Sequence, residues 1–510
     1  MLSLANDCTD AELIGAAWRR WEREFADHLF GDFAIIIDDR ATGLVHAVRD
    51  HIGACPLFYR LRKSQLEVSA TIEPLIGEGE CPEFDPSHLA AAVLGGHRAA
   101  AESTFYRDIR RLPPGHGLTV DRDGNCETYR WWKPRIGPPD RMPPIDALLE
   151  EGRELLARSV QDRLRSNAKI GFHLSGGLDS SAIVALAVPQ LPAMGSSAIG
   201  FAWQGLGEGG ESGRIRAAVD LAGIDFVVSP VDAERIAHLL RQDWAKGPNQ
   251  WNLLHEDAVQ DAAAQRGIEA IFSGWGGDEA ISFNGRGLQG EYLSKFRFAK
   301  LAALAGTRNL RSIGRVFREG LDQLNAQPTP DGLAVSSTYL SADFLASVTL
   351  PPKRSVDLRS VHSAVETLHG LGSVSARVED WALSGRAKGI DYLYPLLDRR
   401  LMEFAYRLPA EVFRKGPVKR WFFREMTRGL LPESIRTDPS KHEPLRTGDL
   451  ALKLSAALRI LGEEVEARAS AMKRAEYFDM DALVADLKNP PQFGDPRLGH
   501  LRRAVQFLDF

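Results

Sequence analysis

The chain has 510 residues and a formal net charge of −5 at pH 7, which argues against a dedicated nucleic-acid binder while leaving room for a local basic groove. With 44% hydrophobic and 26% charged residues it has the balance of an ordinary globular protein, long enough for about two to four domains. No apolar run reaches about 18 residues, and the opening MLSLANDCTD lacks a basic start and an apolar core; neither a transmembrane helix nor a secretory signal is expected, and a cytoplasmic setting is.

Residues 1–133 read as β-rich. LFGDFAIIIDD and GLVHAVRD predict two strands around a turn from Arg40 to Gly43, HIGACPLFYRL continues after a Gly/Pro break, and LPPGHGLTV and YRWWKP follow. Residues 134–144, PRIGPPDRMPP, hold five prolines in eleven positions and predict a semi-extended linker. Apolar residues at helical spacing from Ile145 to Gln161 predict a helix leading into a second domain, 145–510.

From residue 169 onward strands and helices alternate. The pattern predicts strands at Ile170–Leu174, 196–203, 226–231 and 269–274, with helices at Ala182–Val188, 211–223 and AERIAHLLRQ between them. Such alternation makes the chain α/β, with a parallel sheet covered by helices and ligands at the carboxyl ends of its strands. Residues 285–370 read as mostly helical with a break at QPTPDGL (327–333); packing is the plain reading there and substrate-cleft duty the other.

Two predicted strands end in glycine-rich turns that carry an acid. The first runs Ser175-Gly176-Gly177-Leu178-Asp179-Ser180-Ser181. Its paired glycines let backbone N–H groups approach an anion, and the next helix adds free N–H donors and its positive dipole end, so the turn reads as a phosphate cradle. It has neither the Lys of GxxxxGK(S/T) nor the GxGxxG spacing. The second, Ser273-Gly274-Trp275-Gly276-Gly277-Asp278-Glu279, would set Asp278 at the same sheet edge as Asp179, where two carboxylates could hold Mg2+ against phosphates. The bland alternative is a pair of tight turns with capping or solvated acids. Four cysteines, Cys8, Cys55, Cys81 and Cys126, show no CxxC spacing, so reduced and mostly buried thiols are expected.

SGGxDS in this setting resembles the pyrophosphate loop of ATP-pyrophosphatase (PP-loop) enzymes, which cleave ATP to AMP and pyrophosphate. SGxGxDE resembles the second ATP-site motif of the asparagine synthetase family. GDFA, RDHIGACPLFY, LPPGHGL and YRWWKP resemble the glutaminase-like, Ntn-type N-terminal domain of asparagine synthetase B, so the resemblance covers nearly the whole chain. It implies a degenerate glutaminase-like domain followed by a PP-loop synthetase domain with helical additions, using ATP and Mg2+. Leu174, Ser175, Gly176, Gly177, Leu178, Asp179, Ser180, Ser273 and Gly274 would form the ATP and pyrophosphate site, and Asp179 and Asp278 the metal site. DYLYPLLD, Asp391 to Asp398, resembles the family segment E-x-R-x-P-F-L-D, and KRWFFREMTRGLLPESI and SKHEP resemble the part where family lysines approach the phosphates. By that match Lys419 would contact pyrophosphate and Lys441 would stabilise developing charge, while Glu379 or Asp391 would take the proton of the attacking amine.

Two departures bear on the reaction. The family's glutaminase nucleophile is a Cys directly after the initiator Met, using its own α-amine as base. Here Leu2 follows Met1 and Cys8 is internal, so the domain is expected not to make ammonia, a start placed too far downstream being the competing explanation. Trp275 stands where asparagine synthetases have Glu and β-lactam-forming relatives Tyr; an indole does no acid–base work and would wall a pocket. The nucleophile is then expected to be an amine already on the substrate, favoured by held proximity. On these features the chain is most similar to lasso-peptide macrolactam synthetases. That likeness implies a precursor (core) peptide whose Asp or Glu side chain is adenylated and joined to its N-terminal amine, with a leader peptidase and a leader-recognition protein as partners and no nucleic acid or membrane. The alternatives are an asparagine or β-lactam-type synthetase acting on a small substrate, a tRNA modifier and a non-catalytic scaffold.

Overall fold

The computed structural model describes residues 8–95, 100–203, 210–325, 338–439, 448–492 and 494–508. In the first domain β1 (Ala34–Asp39), β2 (Leu44–Arg49), β3 (Phe58–Arg62), β4 (Gln65–Ser69), β5 (Ile109–Arg111), β6 (His116–Val120) and β7 (Cys126–Arg130) form two antiparallel sheets ordered β1-β2-β6-β7 and β4-β3-β5. β1 alternates as a half-buried strand should, with Ile35 inside and Ile36 outside. The two sheets meet where Ala47, Leu118 and Val120 pack on Leu57 and Tyr59. A helix, Asp10–Trp21, precedes them, opened by a capping box between Thr9 and Glu12 that the strand reading passed over.

The second domain is built on a five-stranded parallel sheet. β8 (Lys169–His173), β9 (Ser197–Ala202), β10 (Asp225–Val228), β11 (Ala270–Phe272) and β12 (Asp391–Leu393) lie in the order β10-β9-β8-β11-β12. The central strands are buried on both faces, which is why they read as apolar runs, and Phe172 stacks on Phe272 between them. The helix Ile145–Gln161 leads into β8, and the helix after the first glycine-rich turn spans Leu178–Ala187, four residues earlier than its apolar run suggested. The difference arises because Leu178 to Ser181 are already its first turn. β12 lies at the start of DYLYPLLD, where three residues are too few to show a strand period. Between 285 and 370 helices run at Leu288–Ser294, Phe298–Ala303, Leu310–Asn325, Ala342–Ser347 and Val361–Gly370, while the QPTPDGL break lies outside the described residues.

The domains share buried contacts. Leu89 and Val93 of the first and Leu501 and Phe507 of the C-terminal helix Pro496–Phe507 belong to one apolar cluster. The segment RDHIGAC is shaped by its own acid: Asp50 accepts the backbone N–H groups of Ile52, Gly53 and Ala54 on Oδ1 and of Cys55 on Oδ2. That curl places Arg49, fully buried, to donate to the carbonyls of Cys55, Leu112 and Gly53 and to Glu379 of the second domain at 2.7 Å. Arg111 donates to the other Glu379 oxygen at 2.8 Å. His51 donates to the Leu397 carbonyl at 2.8 Å.

Burial opposes ionisation of Glu379, but the charges of Arg111 and Arg49 outweigh it and hold the carboxyl below its ordinary range. Glu379→Gln leaves Arg49 buried without its counter-charge, at a cost of about 3–5 kcal/mol. Calorimetry should show a lowered Tm at pH 7. Because the folded-state pKa is depressed, the carboxylate's contribution is present above the unfolded pKa and lost as pH falls through the folded one, so the gap between variant and parent should close in acid.

Candidate active site

Both glycine-rich turns leave the carboxyl edge of the sheet side by side. After β8 the chain turns through Leu174 to Gly177, with Gly176 at a φ of 64° that favours glycine. Gly177 caps the helix Leu178–Ala187 without a side-chain bond, so its first-turn N–H groups keep their capacity for an anion. Ser175 and Ser180 pair through their hydroxyls at 3.0 Å, and Gly177 N–H donates to Ser175 Oγ at 3.3 Å. Leu174 N–H is engaged by the Phe201 carbonyl at 2.8 Å. The second turn lies directly against the first. A Cβ on Gly274 would fall 2.7 Å from Ser180 N, and one on Gly277 would fall 2.9 Å from Asp179 Oδ1.

The charge at this edge is organised by a residue that sequence reasoning passed over. Arg420 Nη1 donates to Asp179 Oδ2 at 3.0 Å, and its Nη2 forms an ion pair with Asp278. Arg420 holds a left-handed conformation, φ 57°, as the cap of the helix Trp421–Met426, an uncommon choice for a non-glycine residue that aims its side chain back at the acids. Its neighbour Lys419, expected at the pyrophosphate, is exposed on the short hairpin of Arg414–Lys415 with Val418–Lys419. One residue along, Arg420 brings a guanidinium that serves two carboxylates at once. Only the position of Arg420 next to a helix start hinted at it.

Asp179 Oδ1 is buried without a hydrogen-bond partner. Together with Asp278 it makes an all-oxygen acid pair of the kind that binds Mg2+ alongside phosphate oxygens, so these residues fit that ion. Among the described residues no group of three or more His, Cys, Asp or Glu is placed to hold a metal, so phosphate or water oxygens would have to complete the shell.

Behind the turns a buried polar network ties the strand ends together. His173 pairs with Ser273 Oγ through Nδ1 at 3.1 Å and with Glu256 through Nε2 at 2.9 Å. Glu256 also accepts from Trp203 at 3.2 Å and from the Tyr392 hydroxyl. Ser273 Oγ accepts Trp275 N–H at 3.2 Å, so the second loop is anchored by the residue that ends β8.

Both residues expected as bases lie elsewhere. Glu379 is paired with Arg49 and Arg111, whose charges lower the basicity that a proton acceptor needs. Asp391 pairs with Ala270 at the start of β11, and Ala270 with Ile170 of β8, so Asp391 lies at the amino edge of the sheet, opposite the loops. There it binds Arg165 at 2.9 Å and Arg386 at 3.4 Å. Lys441 lies outside the described residues. The expectation of mostly buried cysteines is corrected too: Cys81 and Cys126 are exposed. Cys55 sits beside Arg386, its thiol pushed up to about 11 chiefly by burial, which makes it a poor nucleophile.

The asparagine synthase profile matches residues 151–502. The chain belongs to the asparagine synthase family. A glutamine amidotransferase domain profile matches residues 5–132, the two-sheet domain. Asparagine synthetase 1 (glutamine-hydrolyzing) of Bacillus subtilis (strain 168) is 23% identical over 470 residues, covering 84% of this chain and 70% of that one. Asparagine synthetase 2 of the same organism is 33% identical over 193 residues, covering 36% and 26%. The amidase chry2 of Gibberella zeae is 24% identical over 290 residues, covering 53% and 42%. As a family member the chain is an ATP-dependent amide-forming ligase. No helix among its described residues is long and apolar enough to cross a membrane.

Gly274→Ala forces a Cβ into the Ser180 backbone, and a displacement of about 1 Å at reacting groups costs about 100-fold; ATP turnover should fall by that order while circular dichroism stays unchanged. Asp380, which accepts from Asn249 N–H at 2.8 Å and Asn252 Nδ2 at 2.6 Å, is pushed up to about 7 by burial. A carboxyl raised in the folded state favours folding below its unfolded pKa and loses that benefit as pH rises through about 7. Asp380→Asn should therefore gain stability relative to the parent as pH rises from about 4 to about 7 in denaturant titrations.

Proposed function

We propose that this synthetase adenylates an Asp or Glu side chain of a precursor peptide and closes a macrolactam by attack of the peptide's N-terminal amine. The observation that carries this reading is Trp275. It stands in the second ATP loop and presents an aromatic wall, under the Arg377 guanidinium at 4.2 Å, where acid–base chemistry on a small amino acid would call for a titratable group. The first domain is consistent with it, since Arg49 and Asp50 spend their hydrogen bonds on the fold rather than on a ligand. The reaction would run in the cytoplasm beside a leader peptidase and a leader-recognition protein.

The steps balance without an added reagent. A substrate carboxylate oxygen attacks the α-phosphorus of ATP and pyrophosphate leaves; the amine nitrogen then attacks the acyl carbon, AMP leaves, and the amine gives up a proton. Loop N–H groups, Ser175 and Ser180 would hold the departing pyrophosphate, and Arg420 would keep Asp179 and Asp278 from repelling it. Mg2+ held by Asp179 and Asp278 would supply charge neutralisation on the phosphates. Enclosure by the aromatic wall would shield the acyl adenylate from water.

The test takes the core peptide encoded by a short reading frame beside this gene, incubated with the protein, ATP and Mg2+. Mass spectrometry should show loss of one water with stoichiometric AMP and pyrophosphate, and Asp179→Asn should abolish both products while leaving the fold intact. Formation of asparagine from aspartate and ammonia, with no change in the peptide, would establish the small-substrate alternative instead.

A further inference from the structure

Beside the second ATP loop lies a cation that forms no ion pair among the described residues. Arg377 projects from the helix Ser373–Ala387, its guanidinium carbon 4.2 Å from the centroid of the Trp275 ring and 5.7 Å from that of Trp381. It donates a hydrogen bond to Asn252 Oδ1 at 3.3 Å and forms no ion pair with any described residue. The acids whose charges act on it are Asp380, Glu256 and Glu279, and the first two are engaged by other donors: Asp380 by Asn249 and Asn252, and Glu256 by His173, Trp203 and Tyr392. Glu379, two residues along the helix, faces the first domain instead. Burial lowers the affinity of Arg377 for its proton, a penalty that an incoming anion would relieve.

The polar atoms around this cation are also unsatisfied. Trp275 Nε1, the Tyr394 hydroxyl and both ring nitrogens of His255 are buried without hydrogen-bond partners. The Arg377 charge acts on both His255 and Tyr394, and Trp203 lies against His255 with ring centroids 5.9 Å apart. Buried polar atoms in finished cores are paired, so a group of orphans around a guanidinium without an ion-pair partner marks the place of a ligand.

We propose that Arg377, set against the Trp275 and Trp381 rings, is the carboxylate-binding residue of the acyl-substrate subsite, which takes an acidic side chain beside the ATP loops. This rests on the adenylation reading above and adds its specificity. The guanidinium offers a planar fork that meets a carboxylate at two points, and cation–π contact with the Trp275 ring helps to place it. An Asn or Gln side chain would leave the cation unpaired, so the subsite rejects amides.

Calorimetric titration of the full-length protein, saturated with a non-hydrolysable ATP analogue and Mg2+, tests this. The probes are the N-acetyl α-methylamides of aspartate and glutamate, with the asparagine derivative as control. An acidic probe should bind and the control should not. Arg377→Gln should weaken that binding by at least about tenfold, with affinity for the ATP analogue unchanged, and Arg377→Lys, which keeps the charge and loses the fork, should fall between. Equal binding by parent and Arg377→Lys together with unchanged binding by Arg377→Gln overturns the assignment. So does parent protein that binds acid and amide alike, or binds no probe. ATP–pyrophosphate exchange is read in parallel: an acidic probe that binds through Arg377 and supports no exchange overturns the adenylation reading and leaves the subsite standing.

Discussion

Two carboxylates from neighbouring strand ends share one guanidinium, and the candidate site depends on that arrangement. Asp179 and Asp278 carry like charges at the edge of a low-dielectric sheet, where their repulsion would drive the two loops apart. Arg420 reaches both and removes that repulsion. The loops can then pack backbone against backbone, with Gly274 against Ser180 leaving no room for a side chain. The result is an assembled polyanion site whose two acids are half neutralised by one guanidinium, leaving one net negative charge. A triphosphate arriving there meets helix N–H groups and a cation rather than two bare carboxylates.

The first domain has the sequence likeness of a glutaminase domain and, in the residues described, the connections of a strut. Asp50 curls RDHIGAC into a tight loop, the loop presents Arg49 to Glu379, and His51 holds the Leu397 carbonyl. Leu397 in turn closes on Gly276 of the second ATP loop, where a Cβ would lie 2.4 Å from its side chain. The helix Ser373–Ala387 is gripped between domains. Glu379 faces Arg49 and Arg111, while Arg377, Asp380, Trp381 and Ser384, spaced three and four apart, lie on its other side. Anchoring one face of a helix sets the direction of the other, so the first domain bears on the placement of Arg377 and Trp381.

Much of this was legible in the chain. Parallel strands buried on both faces announce themselves as apolar runs, and the helix Ile145–Gln161 shows its period along its full length. The capping box at Thr9 is legible too, as Thr9 and Glu12 three positions apart. β12 was not legible, because three residues next to a proline carry no period.

Local order along the sequence determined the α/β class, the two domains and the two glycine-rich acid turns, because a strand, a turn and a helix start are each specified by residues a few positions apart. Which charged groups meet was decided only by the tertiary structure. Glu379 and Asp391 are both acids upstream of PLLD, yet one is buried in an ion triad between domains and the other lies at the wrong edge of the sheet. Lys419 and Arg420 are adjacent, yet only the left-handed turn at Arg420 reaches the acids. Electrostatic partners here lie hundreds of positions apart, as with Arg49 and Glu379, and no local pattern encodes a distance that strand order and register alone establish.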